Sequence, residues 1–531
     1  MRGARGAVAV LVLAALGCGE GPARVLSSTC AAFAERTEIG GDGIATGLAL
    51  YRKRLIGWEG WTGAVSREPI RFARVEVVGC ERGAVVGAGE TDGDGRYRVS
   101  FMNPGRVGVY ARVLSSAPRY ASSVKRSPAE PALYGLASLA ADDSGSGETL
   151  VFPAVEADGA AGAFNILDQA VRGGRAVETA TGSPPSTPLQ WYWYAGNPDG
   201  TAYDPFARAI SVSGRTEDPD EFDDAVLLHE YGHYAADVYS RDDSPGGPHW
   251  LGDSALDLRL AWSEGWATFF SSVVRNDPRH VDTSGTGVRL AFEIEGPSLA
   301  DAARYDTSEL AVAAVLWDLF DDANGDEDGG PLSIPFPQTW SVVAGLSSGF
   351  TTVSFEDFWA RWLGGNLGDL TPILVFRSID LWADLFEGAL NDDAPARASP
   401  IGLGVIQHHT LYPASDADHV VFTPATNGTY TVSTSRCVAD ACDARLSNAA
   451  DTILDVAGVA PGFSADNLTG VRYPAACGLA CPPNDAVTLS SRISFPGTAG
   501  ISYVISIRRS PFAPDSAGDL GAYDVVVTRV P

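Results

Sequence analysis

Apolar and polar positions change rhythm several times along the chain. After Arg2 and Arg5, the unbroken run AVAVLVLAALG leads to Cys18. It has the length of a signal-peptide core and is too short to span a bilayer. Residues 19–45 show no periodicity and read as a linker. From 46 to 155 the alternation is period two: ARVEVVG, GAVVGAGET, GRYRVSFM and GVYARVL are short strands separated by Gly and Asp turns, which predicts a small antiparallel β-sandwich. Within TDGDG, Asp92 and Asp94 are turn residues. From 156 to 395 the spacing becomes helical. AGAFNILDQAVRGGRAV is amphipathic, ARAISVSG is a single strand, and DPDEFDDAVLLHEYGHYAADVYS is a long helix, with Asp218 as its cap, Pro219 at its first position, and Asp220 and Glu221 at the positive end of its dipole. Phe222, Val226, His229 and His233 share one face of it, and Leu227, Leu228, Tyr231 and Ala235 cover another, so the helix is apolar nearly all round and buried. From 400 to 531 strands return as HVVFTPA, GTYTVSTS, DTILDVAG, DAVTLSSRISFP, ISYVISIRR and AYDVVVTRV.

A chain of 531 residues exceeds one hydrophobic core, so several domains are expected. Its formal net charge of −28 would repel nucleic acid and anionic lipid, which excludes both as partners. Membrane contact is expected only through a lipid anchor. LAALGC resembles a bacterial lipobox, whose cysteine is lipidated, although Ala15 stands where Leu is usual. The expected location is extracytoplasmic, as an outer-membrane lipoprotein anchored at Cys18 or as a secreted protein. Apart from Cys18 there are six cysteines, an even number that suits disulfides in an oxidising compartment. Cys437 with Cys442 and Cys477 with Cys481 also have zinc-knuckle spacing, but their Ala, Asp and Pro neighbours favour disulfides.

The candidate chemistry lies in LLHEYGHY. The chain has only seven histidines, and this stretch places His229 and His233 four apart around Glu230. On a helix, residues i and i+4 lie about 40° apart around the axis, so the two imidazoles aim at one point and form half a metal site. Glu230 is placed to reach a water on that metal, the mechanics of H-E-x-x-H in zinc hydrolases. A catalytic zinc needs a third protein ligand. The metzincin continuation fails, because Ala236 and Tyr239 replace the required Gly and His. Glu264 in ALDLRLAWSEGWATFFSSVV suits the role, with the small Ala267 one turn on allowing close helix approach. A distant histidine would have to be His249, His280, His408, His409 or His419.

HEYGHY followed by SEGWATFF resembles the gluzincin metallopeptidases, thermolysin-like and especially fungalysin-like. The resemblance implies a Zn2+ site of His229, His233 and Glu264, with Glu230 as general base. It also implies an oxyanion donor, for which Tyr305 in ARYDTSE and His249 in GGPHW are the candidates. Thr268 departs from the family, which often has Asp there to orient the first histidine. TDGDGRYRV resembles the carboxypeptidase regulatory-like domain, and the strands of 410–529 resemble the pre-peptidase C-terminal domain. The loop DDANGDEDGG, Asp321–Gly330, weakly suggests a structural Ca2+.

The expected architecture is multidomain: a central α+β, mostly helical zincin peptidase domain (156–395) flanked by N- and C-terminal antiparallel β-sandwiches (46–155 and 400–531), after a signal segment (1–18) and a linker (19–45). The expected function is a monomeric zinc-dependent endopeptidase acting on protein or peptide substrates, with ARAISVSG as the edge strand to which an extended substrate adds. The alternatives are a surface adhesion protein with an inactive peptidase-like core, and a zinc hydrolase of a non-peptide substrate.

Overall fold

The computed structural model describes residues 30–530 apart from 34–36, 144–146, 254–255, 296–307, 322–331, 348–352, 366, 369, 378, 380–391, 393, 412–415, 436, 439–440, 443–451, 458–462, 467–490 and 510–521. They divide into two compact units, Met1–Tyr234 with Phe270–Phe292, and Ala235–Phe269 with Glu293–Pro531. The α-helices of the described residues are α1 (Ala161–Thr181), α2 (Asp224–Tyr239), α3 (Leu258–Arg275), α4 (Glu309–Phe320), α5 (Phe336–Gly345), α6 (Phe355–Gly364) and α7 (Thr371–Phe376). Both α2 and α3 pass from one unit to the other within their own length.

In the first unit, Asp42–Gly57 pairs antiparallel with Gly60–Pro69 and Arg96–Met102 and parallel with Glu148–Val151 and Val155–Ala157. A second sheet runs Val85–Glu90, Arg74–Gly79, Val109–Leu114, Gly135–Ala137. Inward residues alternate with outward ones, as in Arg96–Met102, where Tyr97, Val99 and Phe101 are buried. Asp92 Oδ1 accepts from the Asp94 and Arg96 amides, both at 2.9 Å, so it is a turn residue. A disulfide joins Cys30 to Cys80.

A third sheet has the order Ala202–Asp204, Ala209–Ser211, Leu189–Tyr192, Ser122–Lys125, Ser116–Ala117. This corrects the expectation for ARAISVSG. Its strand, Ala209–Ser211, is flanked on both sides, because Ala202–Asp204 folds back antiparallel along it and takes the edge. Helix α1 buries polar residues as well as apolar ones. Tyr51 Oη lies 3.1 Å from Asn165 Oδ1 and 3.2 Å from Asp168 Oδ2, and Asn165 Nδ2 donates to Asp224 Oδ1 at 3.1 Å. Lys53 pairs with the same Asp224 carboxylate, and Arg172 Nη1 lies 3.4 Å from it. The first residue of α2 is therefore gripped by the N-terminal strands and by α1.

The start of α2 also differs from expectation. Asp218–Pro219 is a short strand and Asp220–Phe222 a 3-10 turn, so the α-helix begins only at Asp224. Tertiary hydrogen bonds override the local capping signals. Asp223 accepts from the Thr283 amide at 2.6 Å, and Asp220 from the Thr201 hydroxyl. Asp220 also lies in a group with Asp218 and Asp282, near Asp223, with Arg289 Nη1 3.0 Å from Asp218 and 3.8 Å from Asp282. Burial pushes the Asp220 carboxyl up to about 7, with Asp282 and Asp218 adding to the rise; burial likewise carries Asp282 to about 6. Between the ordinary carboxylate range and these values the folded chain holds more protons than the unfolded one. The stabilisation is full below about pH 4 and lost as pH rises through 7. Relative to the parent, Asp220→Asn is expected to gain stability from pH 4 to 8, approaching ~1.4 kcal/mol for each pH unit between the two pKa values. Denaturant unfolding across that range checks it, and a difference independent of pH contradicts it.

In the second unit, α4 is buried along nearly all its length, and Arg377 grips Asp318 through bonds of 2.6 and 2.7 Å. The C-terminal strands form two sheets, Ser399–Pro400, Ala417–Phe422, Tyr503–Arg509, Thr452–Ala457, Phe463–Asp466 and Ile406–Thr410, Ala522–Arg529, Gly428–Ser435, Arg492–Gly497. Val420, Phe422, Val432, Leu454, Phe495, Ile505 and Val525 are among their shared core. The molecule is multidomain and rich in β-sheet, and the expected mostly helical centre is not found. Strands interrupt its helices wherever β-branched and aromatic runs pair, including the hairpin Arg279–Ser284 with Gly287–Glu293. Among the described residues no helix is long and apolar enough to cross a membrane.

Candidate metal centre

Helix α2 carries His229 and His233 on one face, with their Nε2 atoms 3.1 Å apart and ring centroids 4.8 Å apart. Its other residues Leu227, Leu228, Tyr231, Tyr234, Ala235 and Ala236 are buried, which fixes the helix's rotation. Helix α3 is held against α2 by the Ser271 hydroxyl, which donates to the Ala225 carbonyl at 2.7 Å, and by Tyr231 stacked on Phe270 at 5.7 Å. The ligand atoms of His229, His233 and Glu264 lie within 4.8 Å of one another, all three residues half-buried. Two nitrogens on one tetrahedral zinc would be about 3.3 Å apart, given Zn–N near 2.0 Å. The two-imidazole, one-carboxylate donor set and the 3.1 Å separation thus fit zinc.

Glu230 points differently. It is buried, and its Oε2 accepts from the Tyr203 amide at 2.8 Å, so the edge strand Ala202–Asp204 orients it. His280 packs its ring on Phe292 at 4.8 Å and edge-on to His229 at 6.1 Å. Burial, reinforced by His229 and Arg275, holds its pKa well below the usual histidine range, so it is neutral; it is not among the three ligand residues. His408, His409 and His419 lie on the C-terminal strands Ile406–Thr410 and Ala417–Phe422, and His419 Nδ1 is 2.8 Å from Ser506 Oγ.

His249 lies in the segment after α2. The Ser263 hydroxyl donates to Asp242 at 2.7 Å, and the Val353 amide donates to Asp243 at 3.1 Å, which ties that segment to its surroundings. The His249 Nδ1 is 3.0 Å from the Gly247 carbonyl. Its Nε2 lies 3.6 Å from Glu264 Oε2 and 3.4 Å from Glu309 Oε2. Glu309 opens α4 behind the cap Ser308 and is buried. Gly265 permits this arrangement: a Cβ there would stand 2.6 Å from Val312 and 2.8 Å from the Glu309 carbonyl oxygen. Sequence reasoning passed over Glu309. Its only signals were Ser308 before an apolar run and a glycine inside SEGWA. Tyr305, Cys18, Cys477 and Cys481 lie outside the described residues, as does the acidic loop beyond Asp321.

Residues 176–362 match the family model described as the Mycolysin C-terminal domain, a minority of the chain that includes α2, α3 and α4. The match makes the protein peptidase-related. An uncharacterized protein of Archaeoglobus fulgidus is 39% identical over 109 residues, 19% of this chain, and the match spans 29% of that relative's length. Among solved structures, the pre-peptidase C-terminal domain of collagenase from Bacillus anthracis aligns at 12% identity and TM-score 0.15, over 24% of this chain and 93% of its own. A 9R-lipoxygenase from Cyanothece PCC8801 aligns at 11% identity and TM-score 0.15, over 47% of this chain and 28% of its own. At these TM-scores neither fixes a fold. The sequence similarity that carries weight is therefore the peptidase-related stretch in which the candidate ligands lie.

Proposed function

We propose that the protein is an extracytoplasmic zinc-dependent peptidase of the gluzincin type, acting on protein or peptide substrates. The convergence of His229, His233 and Glu264 carries this reading. These three would hold the zinc, which when bound supplies Lewis acidity to a substrate carbonyl and to water. The chain's own residues do the rest. Glu230, next to the first histidine, takes the proton of the attacking water on its carboxylate and returns it to the leaving amine. The Tyr203 amide holds that carboxylate in place from the edge strand. The Cys30–Cys80 disulfide supports an oxidising, extracytoplasmic compartment. The retained Glu230 speaks against an inactive, purely adhesive core.

Metal analysis of the purified protein tests the assignment. Zinc is expected in the parent, and His233→Ala is expected to lose the tightly bound equivalent, with casein hydrolysis lost alongside. A parent without zinc, or undiminished zinc in the variant, sinks the reading.

A further inference from the structure

The group His249, Glu264 and Glu309 has the makings of a second cation site, and it shares Glu264 with the first. A backbone carbonyl only accepts, so the 3.0 Å contact with the Gly247 oxygen places a proton on His249 Nδ1. That is the usual support for a metal-ligating histidine, whose second nitrogen is left to face the ion. The Nε2 atom then faces two carboxylates, at 3.6 Å for Glu264 and 3.4 Å for Glu309. A cation between the three atoms would suit all of them. The 3.4 Å separation from Glu309 matches the edge of a ligand tetrahedron, about 3.3–3.4 Å for donors at 2.0–2.1 Å from a shared ion, and the 3.6 Å separation from Glu264 lies just beyond it. Glu309 is buried at the first turn of a helix, and the chain gives up a side chain at Gly265 to let that turn come this close.

We infer that His249, Glu264 and Glu309 bind a second divalent first-row cation, such as zinc, with Glu264 bridging it to the first. The inference rests on the reading of His229, His233 and Glu264 as a zinc site. Glu309 is then a metal ligand, and Gly265 is the residue that admits it. The soft imidazole in the donor set favours zinc or its transition-metal neighbours over calcium.

The test uses the full chain, depleted of metal with a chelator and titrated with Zn2+ by calorimetry, with metal content measured after equilibrium dialysis. The parent is expected to take up two equivalents. His233→Ala should lose the tighter one. Glu309→Gln and His249→Ala should each keep the tighter one and bind the weaker at least about tenfold less well. If the parent binds one equivalent, and neither variant changes it, the cation between the three side chains is a proton and the second site is refuted while the first stands. Two equivalents retained in both variants also refute it, because the second zinc then sits elsewhere on this acidic chain. No zinc bound by the parent refutes both sites. If Glu309→Gln does not fold by circular dichroism, His249→Ala, on its half-exposed segment, decides alone.

Discussion

Glu230→Gln is expected to keep the fold and the zinc and to lose about 10²–10⁴-fold in kcat, the usual contribution of general acid–base chemistry. Its geometry makes this variant unusually clean. The Tyr203 amide donates to Oε2 at 2.8 Å, so a glutamine will turn its carbonyl oxygen toward that donor and its NH2 toward the water. An NH2 group cannot take a proton. The side chain thus stays where it was, with its one basic face spent on the backbone. Zinc content by metal analysis and turnover of a peptide substrate give the two readouts. Comparable turnover in the variant would remove Glu230 as the base, whereas loss of zinc with loss of turnover would show that it helps hold the metal.

Glu264 carries the second large effect. Replacing it with Ala removes one of the three proposed zinc ligands, so affinity should fall by at least about two orders of magnitude. Glu264→Gln should lose less, since an amide oxygen still ligates weakly. Because Glu264 belongs to both ligand groups, the Ala variant should also lose the second cation. His280→Ala should leave the tight equivalent in place, as that ring packs on Phe292 and lies outside the ligand group. His249→Ala should leave the tight equivalent in place too. Metal titrations of the four variants separate the cases. Retained affinity in Glu264→Ala, with loss in His249→Ala or His280→Ala, would mean a three-histidine site.

Spacing made the convergence of His229 and His233 legible, because i and i+4 on a buried helix leave few directions for two imidazoles. Glu264 was legible through its own helix and the small residues around it. Less of the surroundings could be read. The start of α2 was misplaced because Asp218 and Pro219 look like a cap, while Thr283 and Thr201, distant in sequence, hold Asp223 and Asp220 outside the helix. The edge strand was misassigned because three residues, Ala202–Asp204, are too few to show alternation. Glu309 escaped notice because nothing local distinguishes a carboxylate at a helix start from one facing solvent. The long strand Asp42–Gly57 was missed where Arg52, Lys53 and Arg54 break the apolar rhythm. Lys53 is spent on Asp224, and Arg52 lies 3.8 Å from Glu156, partners that only the folded chain supplies.

The grip of the N-terminal strands on Asp224 bears on how this chain could be trimmed. A recombinant fragment starting after residue 155 would discard Tyr51 and Lys53, and with them a partner of Asp168 and the lysine partner of Asp224, leaving Asp224 with Asn165 and Arg172. It would also strip Ser122–Lys125 from beside Leu189–Tyr192, turning an interior strand into a raw, apolar border that invites association with other copies. The module ahead of α2 and α3 is thus not a detachable passenger. Shortening the chain from that end is therefore expected to lower its stability and promote association, which thermal unfolding and size-exclusion chromatography of the fragment would check.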